Sequence, residues 1–115
     1  FGVERLSASV EGLCADPDVA AAIVVTPESA HREATVAALS SGRDVLVEKP
    51  LATSEADAAA MVAAAEAAGR RLMPAMLLRF DHRYAQIRER LDGLGSVRSV
   101  HAWRNFDRSL FRLYS

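Results

Sequence analysis

Lysine is almost missing from this sequence. Of the fourteen Lys and Arg residues, Lys49 is the only lysine and the rest are arginine. A coding bias in an Ala- and Arg-rich chain explains that rarity but not the position that survives. Cysteine is equally scarce: the single Cys14 excludes an internal disulfide and suits a reducing cytoplasm. An excess of one charge is absent too. A net charge of -1 gives no field favouring nucleic acid or an anionic membrane. No apolar run, Val19 to Val25 among them, is long enough to span a bilayer, and no signal peptide is visible. His31, His82 and His101 are scattered and Cys14 has no partner at ligand spacing, so no metal site is expected.

What is present fits a globular core: of 115 residues, 50% are hydrophobic and 25% charged. That length makes one ordinary domain at most, or a piece of a larger one. Ser9 is placed to cap a short helix over about 10–15, stopped by Asp16-Pro17-Asp18. AAIVVT (21–26) is a continuous apolar run, the pattern of a strand buried on both faces. Ser29 is placed to cap a helix running to Ser41, with Val36 and Leu39 inward and Gly42 at its end. DVLVE (44–48) predicts a second strand. Ser54, with Asp57 three residues on, starts a third helix that ends at Gly69, with Ala58, Met61, Val62 and Ala65 at helical spacing. RLMPAML (71–77) predicts a third strand. Alternation of this kind implies parallel βαβ units with helices on both faces. Residues 81–92 then predict a charged amphipathic helix with Tyr84, Ile87 and Leu91 on one face. VRSVHAWRNF (97–106) predicts a further strand.

Ligands of a parallel sheet sit at the carboxyl ends of its strands. Thr26-Pro27, Glu48-Lys49-Pro50 and Leu77-Leu78-Arg79 therefore share one rim. The one lysine lies there and not on a solvated helix face.

Two families place such residues at such a rim. IVVTPESAHREATVAALSSGRDVLVEKPLA superficially resembles half of a response-regulator receiver domain, whose Thr26 and Lys49 equivalents would contact a phosphoryl group. VVTPESAH (24–31), DVLVEKPLA (44–52), AAAEAAGRRLMPAMLLRF (63–80) and LGSVRSVHA (94–102), in that order, more closely resemble the Gfo/Idh/MocA oxidoreductases. The further strand, Arg-Phe and helix after Pro50 separate the second reading from the first. So do Glu48 before the lysine and Pro27 after the threonine.

The second resemblance implies an α/β fold: the later half of a Rossmann-like, doubly wound parallel sheet over residues 1–80. Residues 81–115 would open an α+β substrate and oligomerisation domain. The activity implied is hydride transfer between NAD or NADP and a sugar, cyclitol or related small molecule, with homo-oligomers formed through the C-terminal domain. Lys49 would act as the catalytic residue at the substrate hydroxyl, because an ammonium is compact and able to release its proton where a guanidinium is not. The alternative is a surviving surface lysine. Thr26, Pro27, His31, Glu48, Lys49, Pro50 and Arg79 would line the cofactor. For His31 the alternative is an exposed helix-start histidine; for Glu48, a helix-entry charge; for Arg79, a salt bridge with Asp81. Leu77-Leu78 departs from the Asn or Gln that many members carry nearby. Trp103 is expected in the core, and Arg104, Arg108 and Arg112 on a solvated or subunit-contact stripe.

Two parts of the family's site are not found in these residues. No G-x-G-x-x-G occurs to cradle a pyrophosphate. None of the seven aspartates has a histidine four residues on, so the family's Asp-x-x-x-His acid/base is not here. The chain is therefore expected to be an incomplete copy, inactive alone. A non-catalytic, dinucleotide-binding sensor or structural relative is the remaining alternative.

Overall fold

A computed structural model describes residue 2 and residues 5–103. The chain forms two compact units, Phe1–Arg79 and Phe80–Ser115.

In the first unit, extended Ser9 accepts the Gly12 N–H at 3.0 Å and starts α1 (Val10–Cys14). β1 (Ala21–Val24) follows, then a 3-10 turn (Glu28–Ala30) and α2 (His31–Ser40). Ser29 does not cap α2 as expected. Pro27, at φ -54°, starts the chain turning before it, and Ala30 precedes the helix without a side-chain bond. β2 (Asp44–Val47), α3 (Glu55–Ala68) and β3 (Leu72–Pro74) complete the unit. Ser54 Oγ accepts the Asp57 N–H at 3.1 Å and donates to Asp57 Oδ2 at 2.7 Å, so one hydroxyl holds the first turn of α3.

The strands are all parallel, in the order β1-β2-β3. Ala21 pairs with Asp44 and Val24 with Val47; Val45 pairs with Leu72 and Val47 with Pro74. Each strand is shorter than its apolar run. In β3, Arg71 and Ala75 make the bonds to β2, so by alternation the nitrogen of Pro74 lies on the outer edge, where no donor is needed.

The helices do not lie on both faces of this sheet. Strand order advances in one direction, and right-handed crossovers then carry α2 and α3 to the same side. Val24, Val45 and Val47 are buried with Ala34, Ala38, Leu39, Met61 and Ala65 on that side. On the other face Ile23 is 69% exposed, Val25 70% and Met73 45%. Val62, expected inward, is also exposed, and Val36 is half-buried.

In the second unit α4 (His82–Leu91) runs into a 3-10 turn (Asp92–Leu94). Tyr84, Ile87 and Leu91 share a face by spacing and are exposed. Residues 97–103 form no strand, and the rest of the expected strand lies outside the described residues, as do Arg104, Arg108 and Arg112. Trp103 is not in a core: it is exposed and stacks on His101, with ring centroids 6.1 Å apart. Among the described residues no helix is long and apolar enough to cross a membrane.

Candidate active site at the carboxyl edge of the sheet

The sheet ends where its ladder runs out. The Glu48 N–H reaches the Val24 carbonyl at 2.9 Å, and the Ala75 N–H reaches that of Val47 at 2.8 Å. Beyond those bonds the main chain of all three strands leaves the sheet at the same edge, as parallel pairing requires.

After the middle strand, the backbone N–H of Lys49 donates to Glu48 Oε2 at 2.9 Å. Glu48 thus holds the main chain of Lys49. The Lys49–Pro50 peptide is cis, Glu48 and Pro50 are half-buried, and Lys49 is exposed. No ion pair among the described residues involves its side chain.

After β1, Thr26 and Pro27 are exposed. The Pro27 carbonyl accepts the Ala30 N–H at 2.8 Å and closes the turn into α2. The 3-10 turn runs straight into α2, whose first N–H, that of His31, donates to the Glu28 carbonyl.

His31 has a different setting from the exposed one considered for it. Its side chain is 1% exposed. Nδ1 lies 2.8 Å from the Pro50 carbonyl oxygen and Nε2 3.0 Å from that of Thr26. Both partners are acceptors. A neutral ring donates to one of them, chosen by its tautomer, and a protonated ring to both. With both nitrogens committed inside the protein, His31 is not a residue that reaches a cofactor. Its burial and its pair of carbonyl partners carried no signal in the sequence, since main-chain oxygens five and nineteen positions away have no side-chain pattern.

After β3 the chain turns at once: the Met76 and Leu77 N–H groups bond back to Pro74 and Ala75. Arg79 therefore sits exposed in a 3-10 turn (Leu77–Phe80) and does not end the strand. The carboxylate of Asp81, the salt-bridge partner considered for Arg79, is held by Arg83. The structure thus brings Thr26, His31 and Pro50 into direct contact and Glu48 onto Lys49, while Arg79 stands apart from those contacts.

A parallel sheet whose carboxyl edge carries a threonine and exposed basic side chains is the arrangement of a doubly wound α/β protein, Rossmann-type domains and receiver domains alike. The model of the Gfo/Idh/MocA family, described as an oxidoreductase family with an NAD-binding Rossmann fold, matches residues 1–76. The chain belongs to this family, and the receiver-domain resemblance is set aside. It is 34% identical over 114 residues to 1-carboxy-3-chloro-3,4-dihydroxycyclohexa-1,5-diene dehydrogenase of Comamonas testosteroni, covering 97% of this chain and 28% of that protein. It is 39% identical over 92 residues to inositol 2-dehydrogenase of Rhodococcus erythropolis, covering 76% of this chain and 27% of that one. Among solved structures, the WlbA dehydrogenase of Bordetella pertussis, in complex with NADH and UDP-GlcNAcA, superposes with a TM-score of 0.73 at 27% identity, over 77% of this chain and 26% of that one. The chain thus spans little more than a quarter of the length of these relatives.

Proposed function

We propose that these residues form the substrate-facing edge of the cofactor domain in an NAD(P)-dependent oxidoreductase, with Lys49 as the catalytic residue at the reacting hydroxyl. The substrate class is a sugar, a cyclitol or a related ring alcohol, in line with the names of the relatives. The observation that carries the reading is the placement of Lys49. It stands exposed one residue beyond the ladder of the middle strand.

The donor set fits a dinucleotide. The exposed Thr26, beside Pro27, offers a hydroxyl to a hydroxyl-bearing ligand. Lys49 and Arg79 are exposed cations beyond the other two strands. When bound, the nicotinamide supplies the acceptor or donor of the hydride. Lys49 holds the substrate oxygen by a charged hydrogen bond that strengthens as that oxygen gains negative charge. Glu48 holds the Lys49 main chain, Pro50 shapes the turn, and Arg79 contacts the nicotinamide or substrate. Residues 1–80 are read as the later part of the Rossmann domain and 81–115 as the start of a substrate domain through which copies associate. The buried free thiol of Cys14 suits a reducing, cytoplasmic compartment.

The test uses the full-length protein and follows nicotinamide absorbance across a panel of cyclitols and sugars. Lys49→Met is expected to lose roughly 10²–10³ in rate while cofactor affinity is kept, the range for a lost donor to an oxygen gaining negative charge. Lys49→Arg should recover little of it, because a planar guanidinium cannot take the place of a compact ammonium. Turnover by Lys49→Met at the wild-type rate would remove Lys49 from the chemistry. Cofactor binding without turnover of any substrate would favour a sensor.

A further inference from the structure

We infer that His31 is a positioning residue for Lys49, clasping the loops after β1 and β2 so that the Lys49–Pro50 turn has one setting. The inference rests on the catalytic role proposed for Lys49.

The argument is an account of main-chain groups. Lys49 uses its N–H on Glu48 Oε2. Pro50 has no N–H, so its carbonyl is its only main-chain hydrogen-bonding group. That carbonyl meets His31 Nδ1 at 2.8 Å. Across the ring, Nε2 meets the Thr26 carbonyl at 3.0 Å. Among the described residues no other donor reaches either oxygen. The ring is 1% exposed and is set in the first turn of α2, a helix packed on both β1 and β2. The ring ties α2 to the turn when Nδ1 carries a proton, to the β1 loop when Nε2 does, and to both when both do. Without the ring, both carbonyls turn to water, and the turn that carries Lys49 loses its anchor on α2.

A clasp acting through Lys49 makes a prediction that simple support of the fold does not: its effect disappears when Lys49 is gone. The experiment is a double-mutant cycle on single-turnover rate in the full-length protein, with cofactor affinity and thermal midpoint measured beside it. His31→Ala should lower the rate roughly ten- to a hundredfold, the cost of a misplacement near 1 Å. Cofactor affinity, which Thr26 would also feel, should change less than the rate, and the substitution should add no further loss of rate in a Lys49→Met background. Asn offers a donor where Nδ1 stood and Gln one where Nε2 stood. His31→Asn, which keeps the tie to Pro50, should therefore retain more rate than His31→Gln at equal stability.

Effects that multiply across the two backgrounds would overturn the clasp. So would an unchanged rate, or a loss confined to cofactor affinity. If His31→Ala does not fold, the comparison of Asn with Gln decides, and equal rates overturn the inference. Wild-type turnover by Lys49→Met would instead sink the role of Lys49, a separate failure.

Discussion

Thr35 lies one turn beyond His31 on α2, is fully buried, and presents an Oγ1 with no hydrogen-bond partner among the described residues. A buried hydroxyl that leaves water without finding a partner destabilises the fold. Thr35→Val keeps the shape and the β-branch and removes that oxygen. It should raise stability by about 1 kcal/mol, the lower end of what a buried unsatisfied group costs, seen as a higher urea midpoint. A lower midpoint would mean that the hydroxyl bonds back to its own helix. Neither Thr35 nor His31 betrays its burial in the sequence, since both are polar residues at the start of a helix where exposure is the usual outcome. Lys49 was legible for the opposite reason. Its place follows from the end of an apolar strand, and strand ends in a parallel sheet share an edge whatever the side chains do. Position at the edge could be read; side-chain partners drawn from other loops could not.

Element ends show the same division. Two helices stop at glycines in left-handed geometry, Gly42 at φ 78° and Gly69 at φ 59°. Beyond α2 the Gly42 N–H bonds the Leu39 carbonyl and the Arg43 N–H that of Ala38; beyond α3 the Gly69 and Arg70 N–H groups repeat the pattern onto Glu66 and Ala65. Gly42→Ala should cost about 1 kcal/mol, because a Cβ disfavours that backbone region, and a urea midpoint would register it. These stops were legible because glycine in this role is a local requirement. The strand ends were not, because apolar runs continue past the last ladder bond and only the turning of the main chain ends the strand. At the opposite edge, Asp44 joins β2 to β3. The Arg71 side chain bonds its carboxylate, with Nε at 2.9 Å, and the Arg71 N–H reaches it at 2.9 Å. The guanidinium first, and then that N–H, hold the Asp44 carboxyl below its ordinary value. A folded-state value that is lowered gives stability present above the unfolded value and lost as pH falls through the folded one. The stability gap between wild type and Asp44→Asn should therefore close on acidification below the usual carboxylate range. Denaturant midpoints taken across acid pH would show it, and a gap independent of pH would exclude the Asp44–Arg71 link as its source.

For the molecule as a whole, the consequential surface is the uncovered face of the sheet. Continuous apolar strands were read as buried on both faces, and the sequence pattern is right about what the strands are made for. What it does not show is the direction of strand order. With β1-β2-β3 advancing one way, both crossover helices go to one side, and no reversal within these strands sends a helix to the other. Ile23 on β1 and Val25 just after it are left exposed, and β1 has one unpaired edge among the described residues. An apolar face beside an open edge favours pairing with another chain. The 115-residue chain by itself should therefore self-associate, and Ile23→Lys combined with Val25→Lys should reduce that association in sedimentation velocity. The relatives are about three times as long as this stretch or longer, which leaves ample chain to cover the face in a full-length protein. There the same two substitutions should destabilise, each by at least about 2 kcal/mol, the worth of burying one such aliphatic side chain. Opposite signs in the two settings are the expected result. If the lysines are harmless in the full-length protein, the face is solvated there too, and the strands' apolar character needs another cause. If the short chain stays monomeric with or without them, the exposed edge is not sticky enough to matter.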